Sequence, residues 1–431
     1  MRSQRALRQR NESRTELARD WTSRAVDGPA STLSLMFLLT ALYYLAYRYP
    51  LQINSSTTSP TYADTPLTFQ VVKYVIWAAL VFLLLLHTFA TLGSVERRPV
   101  NPVLILLLGF LGLWPVIQGG LYSDIGIFES GIYFLFPFAL LLFGAARVDP
   151  FRIGRAIFVF AIVAIFAEVL QVALFLSIGR LPALAYVGTY SVRFGSIWDD
   201  PNGFGFVVAL LIPFGAFYLR RWRSRLTLFA ALIGLLALTQ SLTAVVCSLV
   251  ASLMVWFFHL RRSAGRLVAA IYGAAIIMIA VGVAVGTSGF AQVFFRDKAA
   301  SMSGHLGSFD PLRNAGLAEF LGWAPTSGHG ESGYVNMLLG PGIVFAIAYA
   351  VLLLVVAARG VRRMSEVAAP SAFRAIHAGL AGFSIAVFLG LGNLPLELVF
   401  PVNALVAFAA AMSWSVSNFG VGPGFAMGNS S

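Results

Sequence analysis

The sequence predicts an all-α polytopic integral membrane protein of about twelve transmembrane helices, on three observations. Its 431 residues are 58% apolar and only 11% charged, and the mean hydropathy is +0.80. A soluble chain of this length needs a far more charged surface. Apolar windows of about 20 residues, enough to cross hydrocarbon as a helix, recur along its length. The basic residues then sort to alternate connections, as positive-inside orientation requires.

Taken in order, residues 1–30 form a basic tail with seven arginines. No cleavable signal peptide is evident, because the first apolar run follows this long basic segment. The tail reads either as disordered cytoplasmic chain or as an amphipathic surface helix carrying Leu7, Leu17 and Trp21. A single transmembrane domain, 31–416, follows, and 417–431 is a second cytoplasmic tail. Its twelve windows lie near 31–49, 69–91, 102–121, 126–145, 155–178, 202–219, 226–240, 242–259, 267–287, 334–357, 375–393 and 397–416.

With the N-terminus cytoplasmic, the tail and the segments 93–101, 145–155, 220–225, 259–266 and 358–374 place 23 of the 30 Lys and Arg on the inside. An even number of spans returns the C-terminus to that side. The net charge of +12 is therefore mainly a topology signal, and no nucleic-acid partner is expected. Cys247 is the only cysteine and falls within a span, which excludes a disulfide framework or a thiolate metal cluster.

The long polar stretches, 179–201 and 288–333, both fall on the outer face, with a shorter loop at 50–68. Function is expected there. Two full spans need about 40 residues, more than 226–259 contains. Either both helices are short, or the turn "TQSLT" lies below the outer surface.

The stretch "SVRFGSIWDDPNGFGFVVALLIPFG" sets Arg193, Asp199 and Asp200 against the start of a span. Asp200-Pro201 reads as a helix start, an N-cap followed by a proline at the first helical position. Asn202 follows at once. Arg193 caps nothing and lies where positive-inside orientation disfavours it. A guanidinium there serves either bidentate phosphate recognition or an ion pair with Asp199 or Asp200. Those adjacent carboxylates offer a Mg²⁺ alternative, but chain neighbours point apart unless the backbone bends. Only Arg48, Lys73, Arg180, Arg193, Arg296, Lys298 and Arg313 lie outside or at span ends.

In the second outer loop, "PLRNAGLAEFLGW" reads as an amphipathic interfacial helix with Leu312, Leu317, Phe320 and Leu321 on its apolar side and Arg313 at that side's edge. "TSGHGESGY" is a glycine-punctuated turn into a span and carries His329, Glu331 and Tyr334. An acid there complements a helix dipole or acts as a base. Glu168, with Gln171 one turn on, lies inside a span. A membrane-buried carboxylate is a functional suspect; the alternative is a structural partner for an arginine on a neighbouring helix. Asn393 and Glu397 read mainly as helix ends.

These segments resemble the O-antigen polymerase and O-antigen ligase family, the Wzy-type bacterial polysaccharide polymerases and their ligase relatives. "RFGSIWDDPNGFGFVVALLIP" is similar to that family's R-F-x-G-x-x-x-x-P-N-x-x-G segment, and "TQSLTAVV" sits where the family carries a Ser/Thr-rich turn. "SFDPLRNAGLAEFLGWAPTSGHGESGYVNMLLGPGI" resembles its outer-loop arginine and the G-x-G turn before the next helix. The resemblance covers roughly 155–357. There are two departures. Ser241 is followed by Leu242 where the family has arginine, so a further arginine comes from elsewhere, with Arg296 or Arg180 as replacements. Glu331 stands where ligases have histidine, with His329 two residues earlier, which leaves the identity of the base open and favours the polymerase branch.

The resemblance implies a GT-C-like membrane glycosyltransferase in the bacterial inner membrane, with its site facing the periplasm. It would transfer an oligosaccharide from undecaprenyl pyrophosphate to a sugar hydroxyl, with inversion and without metal or cofactor, in exopolysaccharide (xanthan-type) or O-antigen synthesis. Glu331 or His329 would be the base, and Arg193 and Arg313 would stabilise the pyrophosphate. Asp199, Asp200, Asn202, Arg296, Tyr334 and Arg180 would contact substrate. Its expected partners are the lipid-linked oligosaccharide, the growing polysaccharide, the bilayer, and a chain-length regulator and flippase of the same pathway. An O-antigen ligase acting on lipid A–core is one alternative. A flippase or other transporter is another, although such proteins place cations within the spans, where this chain has almost none. A structural assembly subunit is a third.

Overall fold

The computed structural model describes residues 102–124, most of 127–135, 150–178, 185–187, 192–196, 201–260, 307, 309–325, 332–365, 371–396 and 402–415, with isolated positions 75, 78 and 82. In chain order these form α1 (Pro102–Tyr122), α2 (Pro150–Ile178), the strands β1 (Ala185–Val187) and β2 (Val192–Phe194), α3 (Pro201–Tyr218), α4 (Trp222–Leu238) and α5 (Leu242–Leu260). After them come α6 (Pro311–Asn314), α7 (Leu317–Phe320), α8 (Gly333–Leu339), α9 (Ile343–Met364), α10 (Ser371–Gly390) and α11 (Val402–Ser415). Six of these helices (α1, α2, α3, α5, α9 and α10) are long and apolar enough to cross a membrane. The expected spans 31–49 and 267–287, and nearly all of 69–91, lie outside the described residues, as do both tails.

Proline opens α1, α2, α3 and α6, where its missing N–H would have had no helical partner. The core is the packing of α10 against α3 and α9. Both faces of α10 are built from small residues, and they bring backbones together. A Cβ at Gly382 would lie 2.6 Å from the Ala209 carbonyl oxygen, and one at Gly360 would lie 2.6 Å from that of His377. In lipid there is no hydrophobic drive to join helices, so close approach at small residues is what holds them. Phe204, Phe206, Phe214, Tyr349 and Phe383 fill the remaining interior and are fully buried.

Two regions depart from the sequence reading. The expected span 334–357 is two helices, broken at Gly340-Pro341-Gly342. Pro341 has no N–H to give the Met337 carbonyl and its ring crowds that oxygen. The Gly342 N–H takes the place of the missing donor, reaching Met337 O at 2.9 Å, and this requires Gly342 at φ +95°, a conformation natural only to glycine. The expected interfacial helix over "PLRNAGLAEFLGW" is instead two four-residue turns, α6 and α7. Gly316 between them is extended (φ −86°, ψ 170°) and caps α7 together with Glu319. Leu317, expected on the apolar side, is 74% exposed.

Candidate functional site

The helices sort into two ends of unlike chemistry. At one end the start of α2 meets the end of α3, with the Phe158 and Tyr218 rings 5.6 Å apart. Phe217 of α3 there packs on His259 at the end of α5. Arg155, Arg220, Arg221, Arg223, Arg225, Arg359, Arg362, Arg363 and Arg374 all fall on the turns at this end. This is the sorting expected of a cytoplasmic face.

The opposite end carries breaks in the backbone. The antiparallel count from Gly154, which lies against Tyr218, puts Gln171 level with Pro201. The last two turns of α2 therefore project about 10 Å beyond the start of α3. The α4–α5 turn is recessed to the same depth. A Cβ at Gly205 would touch Ala244 and approach Thr239, and Ser248 Oγ donates to the Gly205 carbonyl at 3.0 Å. Thr239 and Ser241 are buried. Of the two options for the tight hairpin, the structure shows a turn sunk among its neighbours. It also shows α4 extended back to Trp222.

Two further segments close on this turn. Asn393, just past the end of α10, donates from Nδ2 to Thr243 Oγ1 at 2.6 Å. The first turn of α8 joins the same corner, because Gly333 N–H reaches Leu394 O and Tyr334 N–H reaches Leu391 O, both at 3.2 Å. Tyr334 Oη donates to the Phe388 carbonyl at 2.7 Å. Irregular backbone at membrane depth persists only where it is buried in protein or lines a cavity. Its concentration at one end makes that end the candidate functional face.

Each of the two long polar stretches is fastened to a helix. The first makes the β1–β2 hairpin, in which Arg193 stands opposite Tyr186. It then descends along α2, with the Phe194 ring edge-on to Phe175 at 5.9 Å. Ser196 follows at φ +56°, and its Oγ donates to Ala164 O at 2.6 Å. The Gln171 amide donates to Ser196 O at 2.7 Å and accepts the Ser196 N–H at 3.2 Å.

Three side chains one turn apart on α1 hold the second loop and the α8–α9 break. Trp114 donates to Pro341 O at 2.7 Å, Gln118 to Gly322 O at 2.6 Å, and Tyr122 to Trp323 O. Gly322 and Gly342, both at positive φ, meet backbone to backbone beneath this staple. A Cβ at Gly342 would lie 2.8 Å from Gly322 N.

Of the residues expected at the site, Arg193 lies in β2, Asn202 in the first turn of α3 and Tyr334 in the first turn of α8. Tyr334 is half-buried and anchored through its hydroxyl to α10. Arg313, at the third position of α6, is 82% exposed and pairs with Asp310 at 3.4 Å. Arg180, Asp199, Asp200, Arg296, His329 and Glu331 lie outside the described residues.

Glu168 is buried, and neither carboxylate oxygen has a hydrogen-bond partner among the described residues. The arginine partner required by the structural alternative is not found among those residues. Glu168 sits one turn from Gln171 under the Ser196 segment, whose backbone N–H is the polar group that bears on it. No group of three His, Cys, Asp or Glu among the described residues is placed to hold a metal ion.

Sequence reasoning missed the α1 staple and the Thr243–Asn393 bond. Gly-Pro-Gly is a breaker signal that would have placed the helix break. Nothing local in Trp114, Gln118 or Tyr122 reveals partners two hundred residues away. No protein-family model matches the chain, and no curated protein matches it.

Proposed function

We propose that this chain is a polysaccharide repeat-unit polymerase of the bacterial inner membrane, transferring an oligosaccharide from undecaprenyl pyrophosphate to a sugar hydroxyl at its periplasmic face. One observation supports this reading above the others. The segments on which the expected functional residues fall (the Arg193 hairpin, the Arg313 turns and the Tyr334 helix) all belong to the end opposite the arginine-rich one, where the backbone is irregular and recessed.

The chemistry asked of such a site fits those residue types. The lipid pyrophosphate gains negative charge as the glycosidic bond breaks, and a fixed guanidinium stabilises it. Loss of one such group costs on the order of 3 kcal/mol of transition-state stabilisation. Arg193 and Arg313 take this role. Glu331 or His329 accepts the proton of the attacking hydroxyl, and direct displacement inverts the anomeric centre.

The test is transfer in vitro. Purified protein in liposomes receives extracted lipid-linked repeats with no other acceptor, beside Arg313→Ala and Arg193→Lys variants. A ladder of lengthening chains is expected, lost with Arg313→Ala and reduced at least tenfold with Arg193→Lys. Full activity in Arg193→Lys refutes bidentate phosphate recognition. Without a ladder, the polymerase reading falls. Lipid A–core as acceptor then tests ligase activity, and movement of the lipid-linked sugar between leaflets tests a transporter.

A further inference from the structure

We infer that Gln118 and Gln171 are positioning residues, each gripping one of the two outer loops that bear the proposed phosphate-binding arginines. The inference rests on the proposed function for its catalytic consequence, but the grip itself is independent of it.

Both glutamines are buried, at 2% and 0% exposure. They occupy equivalent places on different helices, α1 and α2, near the end where the loops depart. Both spend the side-chain amide on loop backbone rather than on another side chain. Gln171 presents donor and acceptor to the two backbone groups of Ser196, as a neighbouring strand would. It thereby pins a residue at φ +56°, three positions after Arg193. Gln118 donates to Gly322 O, nine positions after Arg313 and seven before His329, where the chain turns back through a second left-handed residue. From there the chain reaches α8, whose first turn is tied to the end of α10.

A buried glutamine is an expensive way to fill space between membrane helices, where leucine has the same reach and no polar group to satisfy. Its amide is worth that expense where loop backbone needs a partner and the segment needs one fixed position: Gln171 serves two backbone groups and Gln118 one, with its own Oε1 left without a partner among the described residues. Reacting groups lose rate steeply when misplaced by about 1 Å. A loop that carries an arginine to a pyrophosphate therefore needs such a grip, whereas a loop that only connects two helices does not.

The experiment replaces each glutamine by leucine in the full chain with Cys247→Ala, so that single reporters can be placed. For Gln171 the reporter is Phe194→Cys, normally packed on Phe175, probed with a membrane-impermeant maleimide. For Gln118 it is a nitroxide at the exposed position Leu317→Cys. The expected result is faster maleimide labelling in Gln171→Leu and a more mobile nitroxide in Gln118→Leu. In transfer assays of the same substitutions without reporters, kcat should fall about tenfold or more while KM changes less than about twofold. Unchanged reporters overturn the grip. Loosened reporters with unchanged kcat overturn the positioning role and leave the polymerase reading standing. A parent protein that makes no polymer overturns the enzymatic reading, and the reporters then judge the grip alone.

Discussion

Adding one methyl group to the chain should have opposite effects at two glycines, both of which lie within helices. Gly382 is in α10 and Gly234 in α4. A Cβ at Gly382 would lie 2.6 Å from Ala209 O and 2.8 Å from Pro213 Cγ, whereas one at Gly234 would meet nothing within 4 Å. The intrinsic gain in helix propensity is about 1 kcal/mol in either place. At Gly382 it is opposed by overpacking, typically about 1–3 kcal/mol. The upper part of that range applies because the obstacle is backbone and a proline ring, neither of which can swing aside. Gly382→Ala should therefore destabilise by about 1–2 kcal/mol and Gly234→Ala should stabilise by about 0.5–1 kcal/mol, a separation of about 2 kcal/mol. Reversible unfolding in mixed micelles with increasing SDS measures both. If the two variants unfold at the same SDS fraction, or Gly382→Ala is as stable as the parent, then the α3–α10 contact is not the backbone-to-backbone packing described here.

Two further substitutions probe the recessed end. Asn393→Ala removes the bond to Thr243 Oγ1 and should cost about 1 kcal/mol in the same assay; Thr243→Val should cost about as much, and the double variant little more than either alone. Glu168→Leu removes a buried carboxyl group that has no cationic partner among the described residues and only the Ser196 backbone N–H nearby. It should raise stability while lowering polymer formation. A variant that is both more stable and fully active would show that Glu168 has no part in function.

The span positions and the sorting of arginines were legible because both follow from local composition. Windows at 102–121, 155–178, 202–219, 242–259 and 375–393 match α1, α2, α3, α5 and α10 to within a few residues. The lapses fell where a residue's meaning depends on distant chain. "PLRNAGLAEFLGW" has helical periodicity, but Gly316 in extended geometry ends one turn and caps the next. The 334–357 run is apolar throughout, and hydropathy does not register a proline whose carbonyl partner has been supplied by the following glycine. Arg313 falls in the loop whose Gly322 is held by α1, and its exposed side chain pairs with Asp310. Loop membership was readable from the sequence; side-chain direction was not.

The depth of the opposite end follows from these same breaks. A helix that stops short inside a bilayer leaves N–H or C=O groups without partners, and each needs another segment at the same depth. Here the irregular segments are satisfied by neighbours, with the Ser196 strap on Gln171 of α2, the α4–α5 turn on Asn393, and α8 on the end of α10. Shortening one of them alone would strand the others. The recess is therefore a property of the set, and a hydrophilic substrate can meet polar side chains there without any single helix crossing the membrane incompletely at its own expense. That mutual dependence explains why the polar residues of this end (Gln171, Ser196, Thr243 and Asn393) come from four separate stretches of sequence, none of which reads as a site in isolation.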